Sequence, residues 1–115
     1  MKKQEVTASA PAKVILFGEH FVVYGEPAVV LAIDKRAYAS AQLRKDERIY
    51  INSSDLGVSG AFKGERFQVE KGDSKARSKL EPIKNAVQQV LERAERKAGV
   101  NVRINSNIPV SAGLG

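Results

Sequence analysis

Two segments of this 115-residue sequence combine residue types that could do chemistry. One is the run Pro109-Val110-Ser111-Ala112-Gly113-Leu114-Gly115. Glycines let a backbone approach an anion closely and aim N–H donors at it. Such a loop, entered from a strand and leading into a helix, adds the positive end of the helix dipole. An ordinary glycine-rich turn has the same composition. The other segment spans residues 10–28. Lys13 opens the apolar stretch Val14-Ile15-Leu16-Phe17, and Gly18-Glu19-His20 closes it. A fixed cation can offset growing negative charge, and an imidazole can hydrogen-bond a hydroxyl or a carboxylate. Read singly, each has a plainer role. Lys13 is then a half-buried strand residue whose ammonium snorkels to water, His20 a satisfied loop histidine and Glu19 a loop-end acid.

These residues need elements to hold them. The pattern predicts two short strands, residues 5–10 and 13–17, hinged at Pro11, and a loop over 18–25. An apolar run at 28–33 and a strand at 37–43 follow. The charged turn at 44–48 leads to a half-buried strand at 48–51, then to turn residues at 52–57. Phe62 and Phe67 flank a Lys63-Gly64-Glu65 turn, with a short edge strand at 66–69. After a polar stretch, Leu80, Ile83, Val87, Val90, Leu91, Ala94 and Ala98 recur at helical spacing. That predicts a helix over 80–98, with Pro82 in its first turn and Gly99 as its stop. A strand at 100–104 then leads to the glycine loop. Strands, a packing helix and a further strand indicate an α+β fold, a mixed sheet with a helix on one face.

Composition narrows the chemistry. There is no cysteine, which removes disulfides, thiolate nucleophiles and cysteine-ligated metals, and the single histidine removes a multi-histidine site. The net charge is +6. Its cations alternate with acids, as in Arg44-Lys45-Asp46-Glu47-Arg48, and carry no interleaved aromatics. Such runs are solvated faces rather than a base-stacking platform, so no nucleic-acid partner is expected. The start of the chain is not a secretory signal, and the longest apolar runs are far below the ~20 residues of a membrane span. A soluble cytoplasmic protein without a membrane partner is expected.

Taken together, the two segments resemble a known family. Pro11-Ala12-Lys13-Val14-Ile15-Leu16-Phe17-Gly18-Glu19-His20, with Val22-Val23-Tyr24-Gly25 and Pro27-Ala28, resembles the N-terminal signature of mevalonate kinases in the GHMP kinase superfamily. Pro109, Gly113, Leu114 and Gly115 resemble the start of that superfamily's ATP-binding motif. Galactokinases share Gly-Glu-His but continue with a Thr-Asp-Tyr pattern, whereas this chain has Phe21-Val22-Val23-Tyr24-Gly25.

The resemblance implies the ribosomal-protein-like fold of the GHMP kinase N-terminal, ATP-binding domain. Residues 1–115 would form part of that domain and stop within the phosphate-loop motif. It implies ATP-dependent phosphorylation of mevalonate to 5-phosphomevalonate, in isoprenoid biosynthesis, with Mg2+ as cofactor. Lys13 matches the catalytic lysine between hydroxyl and phosphate. Gly18, Glu19, His20 and Val23 match the mevalonate pocket. Ser111, Ala112, Gly113, Leu114 and Gly115 match the triphosphate loop, and Ser106 a serine that contacts the nucleotide. Asp55 stands where the family often has a nucleotide-proximal Asn. The magnesium ligands and the catalytic base match nothing in these residues. The chain alone is therefore expected to be inactive and to need the remainder of the kinase as partner, with a homodimer left open. Two alternatives stand beside this: another superfamily kinase, such as phosphomevalonate kinase or galactokinase, and a non-catalytic nucleic-acid-binding domain of the same fold.

Overall fold

The computed structural model describes residues 4–18 and 21–108. The element order is β1 (Glu5–Phe17), a 3₁₀ turn (Phe21–Tyr24), β2 (Val29–Arg44), β3 (Ile49–Ser53), β4 (Val58–Lys63), β5 (Arg66–Lys71), α1 (Ala76–Arg93) and β6 (Gly99–Ser106). The strands form one mixed sheet in the order β1-β2-β6-β3-β4-β5. The expected α+β class, a mixed sheet with a helix packed on it, is what the chain adopts. β3 pairs antiparallel with β4, Ile51 facing Gly60, and parallel with β6, Ile51 facing Val102. By contact density the chain divides into two compact units. One comprises residues 4–8 and 39–105, the other residues 9–18, 21–38 and 106–108.

The first unit holds the core. Strand alternation puts Ile49 and Ile51 on one face, with Val58 and Phe62 of β4 and Val100 and Val102 of β6. α1 lays Ala76 and Leu80 on them, and Ile51 and Leu80 are fully buried. Phe67 lies beside Phe62, with ring centroids 4.6 Å apart. Its ring covers the bare backbone of Gly60, where a Cβ would stand 2.5 Å from it.

The helix differs from the sequence expectation at both ends. It begins at Ala76 rather than 80, because Asp73 organises the turn before it: its carboxylate accepts from Lys75 N at 2.9 Å and its carbonyl from Ala76 N at 3.1 Å. Pro82 therefore sits inside the helix, not in its first turn. The helix ends at Arg93, before Ala98, and Gly99 opens β6 instead of stopping the helix. The stop is a Schellman arrangement: Arg96 N donates to Leu91 O at 3.0 Å and Glu95 N to Glu92 O at 3.1 Å. Glu95 takes the left-handed position, with φ of 52°. Val90, expected on the packed face, is 67% exposed, and Lys84 lies inside at 4%. The stripe follows Ala76, Leu80 and Lys84 in steps of four. The Lys84 ammonium stands 5.4 Å from the Phe62 ring centroid, a cation–π contact.

Two expected breaks are absent. β1 runs unhinged through Pro11 because it is an edge strand, where a missing N–H need not remove a ladder bond. β2 joins the two separate segments expected at 28–33 and 37–43 into one strand. Asp34 and Lys35 do not interrupt it, since both side chains are exposed. β4 matches no strand in the sequence reading. No described helix is long and apolar enough to cross a membrane.

Candidate active site

The unit made of residues 9–18, 21–38 and 106–108 carries Lys13, Gly18, Val23 and Ser106. Lys13 lies on β1, one residue after Ala12, which is 2% exposed. Alternation sends Ala12 inward and Lys13 outward, so Lys13 is exposed rather than half-buried. Gly18 ends the strand with φ of 92°. A Cβ on it would lie 2.7 Å from the Pro27 carbonyl oxygen and 2.8 Å from Ala28 Cα. Both the dihedral and the close approach demand glycine. Its carbonyl accepts from Val22 N at 3.0 Å, which starts the 3₁₀ turn, and Gly25 N closes that turn on Val22 O at 3.1 Å. Val23 sits on the turn and is 75% exposed. Leu16, Phe17, Val22, Tyr24, Val30 and Leu31 are also at least 48% exposed, leaving much apolar surface around the strand ends.

At the exit of β6, Ser106 Oγ accepts from Ile108 N at 3.0 Å, which leaves its hydroxyl proton free to donate elsewhere. Asn107 beside it exchanges two bonds with Arg36 of β2. Arg36 N donates to Asn107 Oδ1 at 2.6 Å, and Asn107 N donates to Arg36 O at 3.0 Å. The Arg36 guanidinium in turn donates twice to Ser9 Oγ on β1, at 3.0 and 3.1 Å. Arg36 and Asn107 therefore fix the strand end that leads toward the glycine segment. Sequence reasoning missed them, because no local signal joins residues 71 positions apart.

Asp55 belongs to the other unit. It occupies the turn after β3, is exposed, and is flanked by bonds that hold the turn. Gly57 N donates to Ser53 O at 3.0 Å, and Ser54 N to Ile104 O at 3.2 Å. Glu19, His20 and residues 111–115 lie outside the described residues. Among the described residues, no group of three or more His, Cys, Asp or Glu side chains could hold a metal ion. The described residues thus offer no cluster that would hold magnesium by itself, and no step through the metal is assigned to them.

No protein-family model matches the chain. The mixed sheet carrying one helix recurs in solved structures. Over 96% of the chain it matches the crystal structure of the Methanococcus jannaschii mevalonate kinase, with a TM-score of 0.69 and 26% identity, and covers 35% of that protein. A second mevalonate kinase structure matches with a TM-score of 0.61 and 25% identity.

Curated sequence relatives carry the same description as those structures. The chain is 46% identical to the mevalonate kinase of Thermococcus sibiricus and 45% identical to that of Pyrococcus abyssi, in each case over 113 residues, or 96% of its length. It is 38% identical to the enzyme of Methanocaldococcus jannaschii over 109 residues. The resemblance to mevalonate kinases carried by the two motifs thus extends along almost the whole chain. The chain spans about a third of the length of the curated relatives it matches.

Proposed function

We propose that this chain forms part of an ATP-dependent mevalonate kinase, within its N-terminal domain. The observation that carries this reading is identity of 43–46% to mevalonate kinases along 96% of the chain. The primary hydroxyl of mevalonate attacks the γ-phosphorus of ATP, the bond to the β–γ bridging oxygen breaks, and ADP leaves. The hydroxyl proton goes to a base that these residues do not supply. Such a reaction asks the protein mainly for positioning and charge neutralisation.

In this reading Lys13, held outward by its strand, offsets charge on the attacking oxygen and the transferring phosphoryl group. Gly18, Glu19, His20 and Val23 shape the alcohol pocket. Ser106 and Asp55 approach the nucleotide, and the backbone of residues 111–115 cradles its phosphates. Lys13→Met in the complete kinase tests the assignment. We expect kcat to fall about 10²–10³-fold with a much smaller change in the KM for mevalonate. A folded variant with kcat within about threefold of the parent removes Lys13 from the chemistry.

A further inference from the structure

The free end of the β3–β4–β5 meander carries a cavity of about 330 Å³, lined by Arg48, Lys63, Arg66 and Gln68 together with Ala61 and the two phenylalanines. Its cations are ordered by the sheet register. Ile49 faces Phe62, so the preceding Arg48 comes into line with Lys63, and Lys63 itself faces Arg66 across the hairpin. Directly opposed residues share a face and lie about 5 Å apart, where like charges destabilise a sheet.

Among the described residues, no acid forms an ion pair with Lys63, Arg66 or the Arg48 side chain. Neither Lys63 nor Arg66 forms an ion pair, and Glu65, in the turn between them, pairs with neither. The acid that Arg48 does influence is Asp46, and its oxygens are already engaged. Arg44 Nε donates to Asp46 Oδ1 at 2.8 Å and Arg44 Nη2 to Oδ2 at 2.9 Å, while Arg48 N approaches Oδ1 at 3.2 Å. Three cations thus converge on one recess with unused donor capacity.

We propose that this recess binds a small phosphate-class polyanion, and that it is a second anion site separate from the glycine loop at residues 111–115. The charge matches a diphosphate, which would replace mutual repulsion along the row by charge-assisted hydrogen bonds. The recess lies in the unit of residues 4–8 and 39–105, so the inference does not depend on the kinase reading.

The test is an NMR titration of the 115-residue chain with inorganic diphosphate, following backbone amides. Saturable shifts are expected at Lys63, Arg66 and Gln68, weakening as salt is raised. Lys63→Gln/Arg66→Gln should reduce the affinity at least tenfold, as two charge-assisted donors are lost. Glu65→Gln should raise it about threefold by removing the neighbouring negative charge. Because these side chains are exposed, the helix content of both variants should equal the parent's. Absence of saturable shifts at the hairpin overturns the proposal, as do shifts confined to Gly113 and Gly115. Equal affinity in the parent and the double variant overturns it too.

Discussion

Replacing Glu95 by glycine should make this chain more stable, against the usual direction for a substitution next to a helix. Glu95 holds the left-handed position of the Schellman stop, with φ of 52°. For an L-residue that conformation costs about 1–2 kcal/mol. Glycine removes this cost but brings extra freedom to the unfolded chain, worth roughly 0.5–1 kcal/mol. The glutamate also places a negative charge at the negative end of the helix dipole, an unfavourable contact of about 0.3–1 kcal/mol. Glu95 forms no ion pair among the described residues that would be lost. The net expectation is a gain of about 1 kcal/mol, or roughly 4–6 °C in Tm for a domain of this size. Thermal melts of the parent, Glu95→Gly and Glu95→Gln separate the contributions, since glutamine removes only the charge. A Tm for Glu95→Gly at or below the parent's would refute the backbone argument. So would a glutamine variant that recovers the whole gain.

Gly18→Ala should lower stability by roughly 2–4 kcal/mol, since a methyl group there meets the Pro27 carbonyl at 2.7 Å and the positive φ must also change; denaturant melts read it, and an unchanged midpoint would show that the glycine serves only a ligand. Asp46 is held well below the usual carboxylate range, chiefly by its hydrogen bonds from Arg44. With its folded value depressed, the stabilisation from the pair is present above about pH 4 and is lost as pH falls through the folded value. Asp46→Asn should therefore flatten the acid limb of a stability–pH curve, and an unchanged limb would show that the pair contributes nothing measurable.

The sheet and the helix were legible because periodicity reports burial directly. Val100 and Val102 alternate toward the core, and Leu80, Ile83 and Val87 recur on one helical face. The helix limits were not legible. The residue in the left-handed stop is Glu95, for which no composition rule exists, while Gly99 imitates a stop. Its real constraint is tertiary: a Cβ there would stand 2.4 Å from the Arg48 carbonyl oxygen. Lys84 escaped for a related reason. Its type argues for solvent, yet its stem packs in the core and its charge rests against an aromatic face. At the candidate site the residue types drew attention to Lys13 and Gly18, but not to Arg36 and Asn107. Those two act through bonds that exist only once distant strands are side by side.

The strand order has a consequence for how the chain can be made. Among the described strands β6 lies between β2 and β3, and so joins the β1–β2 pair to the β3–β4–β5 meander. It is also, among the described strands, the last to be synthesised. At about 5–20 residues per second, residues 45–98 occupy the ribosome for roughly 3–10 s. Until they are complete, β2 offers an unpaired edge on the side that β6 will take, beginning at Arg36, whose backbone later exchanges bonds with Asn107. An open edge of this kind is a template for pairing with other chains. Any shortened version that stops before Gly99 makes the interval permanent. It should accumulate as aggregate, whereas a chain carried through Ser106 has covered that edge of β2.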